Sequence, residues 1–149
     1  MTCITYKDGI IAYDSRITEG RTIVDDDCNK RSQVGKLNFF LCGDVAGEEA
    51  LIRSYVTGLV TEEDAEKAAN SMAWVVDRGN IYRLLTIGED LLIEPQRLTN
   101  TAALGSGGPY ALGAMDSGAS AKEAVKIASG RDVSTGGKIR AFKVPASST

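Results

Sequence analysis

The chain has 149 residues, 43% of them hydrophobic and 25% charged, with 17 basic and 20 acidic side chains for a net charge of -3. That is enough for one ordinary domain with a sizeable core, and the scattered Lys and Arg leave no electrostatic footprint for nucleic acid. Histidine is absent, which excludes Ser-His-Asp and Cys-His nucleophile pairs, HExxH zinc sites and imidazole proton shuttles. The base of any hydrolytic reaction must then be a carboxylate, a lysine or the α-amino terminus, whose ordinary pKa is about 8.

Cys3, Cys28 and Cys42 are odd in number and form no CxxC pair, so neither a zinc ribbon nor a disulfide framework is expected, and a reducing cytoplasm is the expected compartment. The N-terminus has no apolar run long enough for a signal peptide. The uncharged stretch from Leu98 to Met115 is interrupted by glycines and a proline, so no membrane segment is expected.

In chain order, Thr2 to Tyr6 and Ile10 to Asp14 are β-prone runs around Lys7-Asp8-Gly9, a strong hairpin signal. The polar stretch from Arg16 to Arg31 holds one short β-prone piece, Thr22-Ile23-Val24, and Leu37 to Cys42 reads as a buried strand ending at Gly43. Leu51, Tyr55 and Leu59 then recur at helical spacing. Thr61, followed by Glu62, Glu63 and Asp64, supplies an N-cap and acidic first turn for a second helix through Ala65, Ala68, Ala69 and Met72.

The period returns to two in Ala73 to Val76, Ile81 to Ile87 and Leu91 to Glu94, an antiparallel meander with turns at 77–80 and 88–90. After Thr101 to Leu104, the Gly105-Ser106-Gly107-Gly108 loop leads to Pro109 at the first position of a short helix reaching about Met115. Ser120 and Glu123 form a capping-box pattern for a last helix stopping at Gly130, and Lys138 to Val144 reads as the final strand. Residues 145–149 are expected to be a flexible tail. Strands, two helices, strands, two helices and a strand predict an α+β fold, a four-layer αββα sandwich, as a single domain over 1–149.

Among the motifs, Asp25-Asp26-Asp27-Cys28-Asn29 starts like a calcium loop, but Lys30 and Lys36 stand where its glycine and bidentate glutamate belong, so a solvated loop is the better reading. Gly105-Ser106-Gly107 lacks the last glycine of a dinucleotide fingerprint, where Tyr110 stands, and Gly136-Gly137-Lys138 lacks the Ser/Thr of a phosphate loop. No metal or cofactor is expected. What remains is Thr2, which becomes the N-terminus if Met1 is cleaved, so that its hydroxyl has its own amine as base.

Several pieces then fall in order along nearly the whole chain. They are Thr2 opening a hairpin that ends in Ala12-Tyr13-Asp14-Ser15-Arg16, a lysine at Lys30, and Leu41-Cys42-Gly43 before a helix. Gly105-Ser106-Gly107-Gly108-Pro109-Tyr110 and Arg131-Asp132-Val133-Ser134-Thr135-Gly136-Gly137 follow. Together they resemble the proteasome β-subunit and HslV-type peptidase superfamily, which implies the N-terminal nucleophile hydrolase fold, threonine endopeptidase activity and assembly into homo-oligomeric rings.

Carried over residue by residue, the resemblance implies Thr2 as nucleophile, Lys30 lowering the pKa of its amine, and Asp14 holding Lys30. It implies the Gly43 amide as oxyanion donor, and Ser106, Asp132 and Thr135 as hydrogen-bonded support for the terminal amine. Asp14 and Lys30 are sixteen residues apart, as in the family. A lysine near an ammonium disfavours its protonated form, and a buried lysine needs a carboxylate partner. The Thr2 to Asp14 span is shorter than in the family by an even number of residues, which keeps each strand side chain on its own face.

By family position the substrate pocket is lined by Ile17, Cys28, Ser32, Leu41, Val45 and Glu49, which predicts cleavage after medium apolar residues. The implied partners are further copies in a six- or sevenfold ring, an ATPase unfoldase, and a peptide or unfolded protein as substrate, with no nucleic acid and no membrane. The implied location is the cytoplasm, the chain being bacterial or encoded by a bacterial virus. An acylated Thr2 amine cannot act as a base, so a chain that keeps Met1 would instead be an inactive scaffold or assembly protein of the same fold.

Overall fold

A computed structural model describes residues 2–146. Contacts divide the described residues into two compact units, one of residues 2–30 and 97–145 and one of residues 31–96.

In the first unit, β1 (Ile4–Lys7) and β2 (Ile10–Tyr13) form the expected hairpin. Asp8 and Gly9 both take positive φ, the backbone a two-residue turn between right-twisted strands requires. The hairpin is shorter than its sequence pattern, since Thr2 and Cys3 precede the strand. β3 (Ile17–Glu19) and β4 (Thr22–Asp25) make a separate two-stranded ribbon. β10 (Ala102–Leu104) and β11 (Arg140–Lys143) complete an antiparallel sheet in the order β10, β1, β2, β11.

Helices α3 (Gly108–Asp116) and α4 (Ala121–Ser129) pack on this sheet. Their small side chains let them lie close, and Ala111, Met115, Ala121, Ala124, Val125 and Ala128 close over Cys3 and Ala12. Ser120 and Glu123 form the capping box at the start of α4 in both directions, which satisfies two of the four donors a helix start leaves open. Thr5 turns its hydroxyl to the Ala121 carbonyl at 2.8 Å, tying β1 to the same helix end.

In the second unit, β5 (Arg31–Val34), β6 (Leu37–Cys42), β7 (Met72–Asp77), β8 (Asn80–Ile87) and β9 (Asp90–Gln96) form an antiparallel meander in sequence order. Helices α1 (Val45–Thr57) and α2 (Glu62–Ala68) lie against it. Phe39, Leu41, Val75 and Leu84 meet Ala50, Leu51 and Ala68 in its core. Asp44 and Thr61 cap the two helices through their side chains.

Four expectations need correction. The polar stretch before Leu37 holds β3 and β5 as well as β4, because hairpin pairing rather than apolar alternation defines them. Gly58 closes α1 in the left-handed conformation, so Leu59 lies outside the helix and is 71% exposed. Met72 belongs to β7, since the main chain turns after Ala68 and pairs Met72 with Cys42. The last strand is Arg140–Lys143, shorter than 138–144, because those are the residues that pair with β2. Of the tail expected at 145–149, residues 147–149 lie outside the described residues, as does Met1.

Candidate active site

Thr2 lies just before β1 and is 3% exposed. Its carbonyl accepts a hydrogen bond from the Gly107 amide at 3.2 Å. The preceding Gly105 has φ +93, and a Cβ there would run into the Thr2 carbonyl, so only glycine fits. The glycine loop thus wraps the main chain of Thr2 before turning into α3, where Pro109 stands in the first turn.

Asp14 follows β2 and is fully buried. One carboxylate oxygen accepts from the Cys3 amide at 3.1 Å and from Lys30 Nζ at 2.8 Å. The other accepts from the Gly136 amide at 3.0 Å and, more weakly, from the Arg16 amide at 3.4 Å. The Lys30 amine also donates to Thr2 Oγ1 at 2.9 Å. Lys30 is 5% exposed, so the ion pair is shielded from water, where such a pair is held only by good geometry and further hydrogen bonds.

Beside this pair, Asp132 gathers the donors of its own loop. Ser106 Oγ and Thr135 Oγ1 donate to one carboxylate oxygen at 2.6 and 2.7 Å, and the Ser134 amide donates to the other at 3.2 Å. Burial pushes the Asp132 carboxyl up, but the hydrogen bonds from Ser106, Thr135 and Ser134 outweigh it and hold the group below its ordinary value. Gly107, whose amide binds the Thr2 carbonyl, is packed so close to this network that a Cβ there would meet Thr135 Oγ1 at 2.6 Å and Cys3 Cβ at 2.9 Å. Thr2, Asp14 and Lys30 therefore form one hydrogen-bonded group in the first unit and Ser106, Asp132 and Thr135 a second, and the neighbouring Gly107 and Gly136 amides donate to Thr2 and Asp14.

The other residues named from sequence occupy defined places in their own units. Ile17 opens β3 and is half-buried, as is Cys28. Gly43 follows β6 in the second unit, pressed so close to Ser71 that a Cβ would come within 2.9 Å of the Ser71 Cα. Ser32 is half-buried on β5, Leu41 is 2% exposed in the β6 core, and Val45 and Glu49 stand exposed on α1.

Sequence reasoning missed the main-chain donors. The Gly136 amide on Asp14 and the Gly107 amide on the Thr2 carbonyl carry no side-chain signature, though each falls in a glycine pair. It also missed the calcium-like run's true engagement: Asp26 pairs with Arg16 and Asp27 with Arg140, while Asp25 accepts from the Asp27 amide.

The fold is similar to that of several solved structures. BPH of Thiobacillus denitrificans matches in complex with epoxomicin (17% identity) and in a second structure (18%); each has TM-score 0.64 and covers 97% of this chain and 98% of that one. Eukaryotic HslV from Trypanosoma brucei matches with TM-score 0.67 at 15% identity, covering 95% of this chain and 98% of that one. No family model and no curated protein matches the sequence. The likeness to solved structures shows the class: an α+β fold of the N-terminal nucleophile hydrolase type. Within that class, the chain has the fold of the HslV-type and bacterial proteasome-like peptidases.

Proposed function

We propose that the chain is a threonine peptidase that becomes active when Met1 is removed and Thr2 is the N-terminus. The observation that carries this reading is the buried Lys30 amine, 2.9 Å from Thr2 Oγ1 and 2.8 Å from the Asp14 carboxylate. An exposed lysine would have no need of either partner. A hydroxyl at the chain start is the group such a lysine serves.

In the proposed reaction the freed Thr2 amine takes the proton of Thr2 Oγ as the oxygen attacks the scissile carbonyl carbon. Lys30 stabilises charge developing at Oγ and disfavours the protonated amine. The tetrahedral intermediate collapses to a Thr2 ester, and the proton passes to the departing amine. Water then hydrolyses the ester and restores the amine and hydroxyl. Asp14 holds Lys30, while Ser106, Asp132 and Thr135 support the amine. In the same reading the Gly43 amide is the oxyanion donor. No cofactor is needed.

By likeness to HslV and BPH we further propose a homo-oligomeric ring, sixfold or sevenfold, fed with unfolded protein by an ATPase in a cytoplasm. The pocket reading assigns cleavage after medium apolar residues. Ile17, Leu41 and Val45 are apolar, and none of the six assigned side chains is basic, so an acidic residue beside the scissile bond would lose hydration without a partner.

The alternative is a scaffold that keeps Met1, in which the Thr2 nitrogen is an amide and can accept no proton. Intact mass together with peptide hydrolysis separates the two. Loss of Met1 with turnover that disappears in Thr2→Ala supports the peptidase, and a retained Met1 without turnover supports the scaffold. Epoxomicin, found bound to the Thiobacillus protein, offers a second probe, since the peptidase reading predicts retention by the wild-type chain and not by Thr2→Ala.

A further inference from the structure

The acidic run Asp25-Asp26-Asp27 lies just ahead of Lys30, and two arginines from other parts of the first unit engage it. Arg16, two residues after Asp14, donates from Nε to one Asp26 oxygen at 2.8 Å and from Nη2 to the other at 3.2 Å, a bidentate pair. That guanidinium also donates to the Val133 carbonyl at 3.0 Å, and a Cβ on Gly136 would meet it at 2.5 Å. The Asp26 carbonyl accepts from the Lys138 amide at 3.0 Å. One residue on, Asp27 pairs with Arg140 of β11 at 2.7 Å, and Arg140 also donates to Ser15 Oγ. The Cys28 amide donates to the Ser15 carbonyl at 3.0 Å.

These bonds join three pieces of chain. The segment bearing Asp14, the 131–138 loop whose Gly136 amide binds Asp14, and the run leading into Lys30 are fastened at neighbouring points. Between Asp27 and Lys30 only two residues intervene, so little slack remains for the lysine. The Arg16 side of the bond holds the Asp26 carboxyl below its ordinary value, as a direct ion pair should.

We propose that Asp26 and Asp27 are positioning residues: through Arg16 and Arg140 they clamp the segment between β4 and β5 that delivers Lys30 to Thr2 and Asp14. The inference rests on the peptidase reading for its purpose but not for its test. An exposed ion pair adds little global stability. Its effect here is local, because it removes the freedom of the one segment whose displacement would draw the lysine out of its buried position.

The test is acetylation of the full chain by acetic anhydride, followed lysine by lysine by peptide mass spectrometry. In the wild type Lys30 should react far more slowly than the exposed Lys122 and Lys126. Asp26→Asn should speed the Lys30 reaction about fivefold, the size of one exposed pair, and Asp26→Asn/Asp27→Asn should speed it further, with Lys122 and Lys126 unchanged. The charge reversal Arg16→Asp/Asp26→Arg should restore protection. Lys30 as slow in the double variant as in the wild type overturns the proposal. So does a rise shared by all lysines, which would mean general loosening, and the single variant Asp27→Asn guards against a double variant that does not fold. Peptide turnover read in parallel should show kcat falling with KM held. A wild-type chain without any turnover defeats the peptidase reading and leaves the acetylation result to judge the clamp alone.

Discussion

The Lys30 amine and the Asp14 carboxylate form an ion pair of 2.8 Å in which the lysine side chain is 4% exposed and the aspartate not at all. Removing one partner of a buried pair strands the other charge and costs about 3–5 kcal/mol, whereas replacing both costs far less. Asp14→Ala should therefore lower the urea midpoint much more than Lys30→Met/Asp14→Leu. Equal losses in the single and double variants would show that the pair is not a coupled unit in solution.

Gly105→Ala tests how Thr2 is held. Its φ of +93 and the closeness of the Thr2 carbonyl leave no place for a Cβ, so the backbone must shift and stability should fall by more than about 1 kcal/mol. Turnover should fall further than stability explains, because a displacement at the nucleophile is felt directly in the chemistry. A Gly105→Ala chain with unchanged melting and turnover would contradict the close packing of this loop around Thr2.

The Asp132 carboxyl, depressed by its hydrogen bonds, has a definite sign in acid. A group whose folded pKa lies below its unfolded value of about 3.8 adds stability above that value and loses it as pH falls through the folded one. Wild type should exceed Asp132→Asn in urea midpoint near pH 6, and the two should converge as pH drops toward 2. A gap that is constant across that range would mean that the carboxylate form is not the one stabilised.

The acid and the lysine of the site were legible through the resemblance to the peptidase superfamily, whose motifs are side chains and so are written in the sequence. What could not be read was the set of amides that hold them. Gly107 and Gly136 act through main-chain N–H groups, which any residue has, and only the closeness of Gly107 to Thr135 and Cys3 and of Gly136 to the Arg16 guanidinium explains why glycines stand there. The same limit applies to the fold. Buried β6 and amphipathic α4 announce themselves by pattern and β4 by its β-prone residues, whereas β3 is only three residues long and Arg-Ser-Gln-Val of β5 shows no alternation. Capping side chains at Ser120 and Thr61 were legible because their chemistry is local.

The pocket reading makes a prediction about substrate choice. Peptides cleaved after leucine should turn over faster than those cleaved after glutamate, with a broad preference among apolar residues, since one methylene changes a rate only modestly. Faster cleavage after glutamate would show that Ile17, Cys28, Ser32, Leu41, Val45 and Glu49 do not line the pocket.

Most direct is the comparison of hydrolysis by the chain beginning at Thr2 with hydrolysis by its Thr2→Ala variant, both confirmed by intact mass. The account predicts cleavage of an apolar fluorogenic peptide by the first and a loss of at least about a thousandfold in the second, with fold and assembly unchanged by circular dichroism and sedimentation. Equal hydrolysis by the two would contradict Thr2 as the nucleophile.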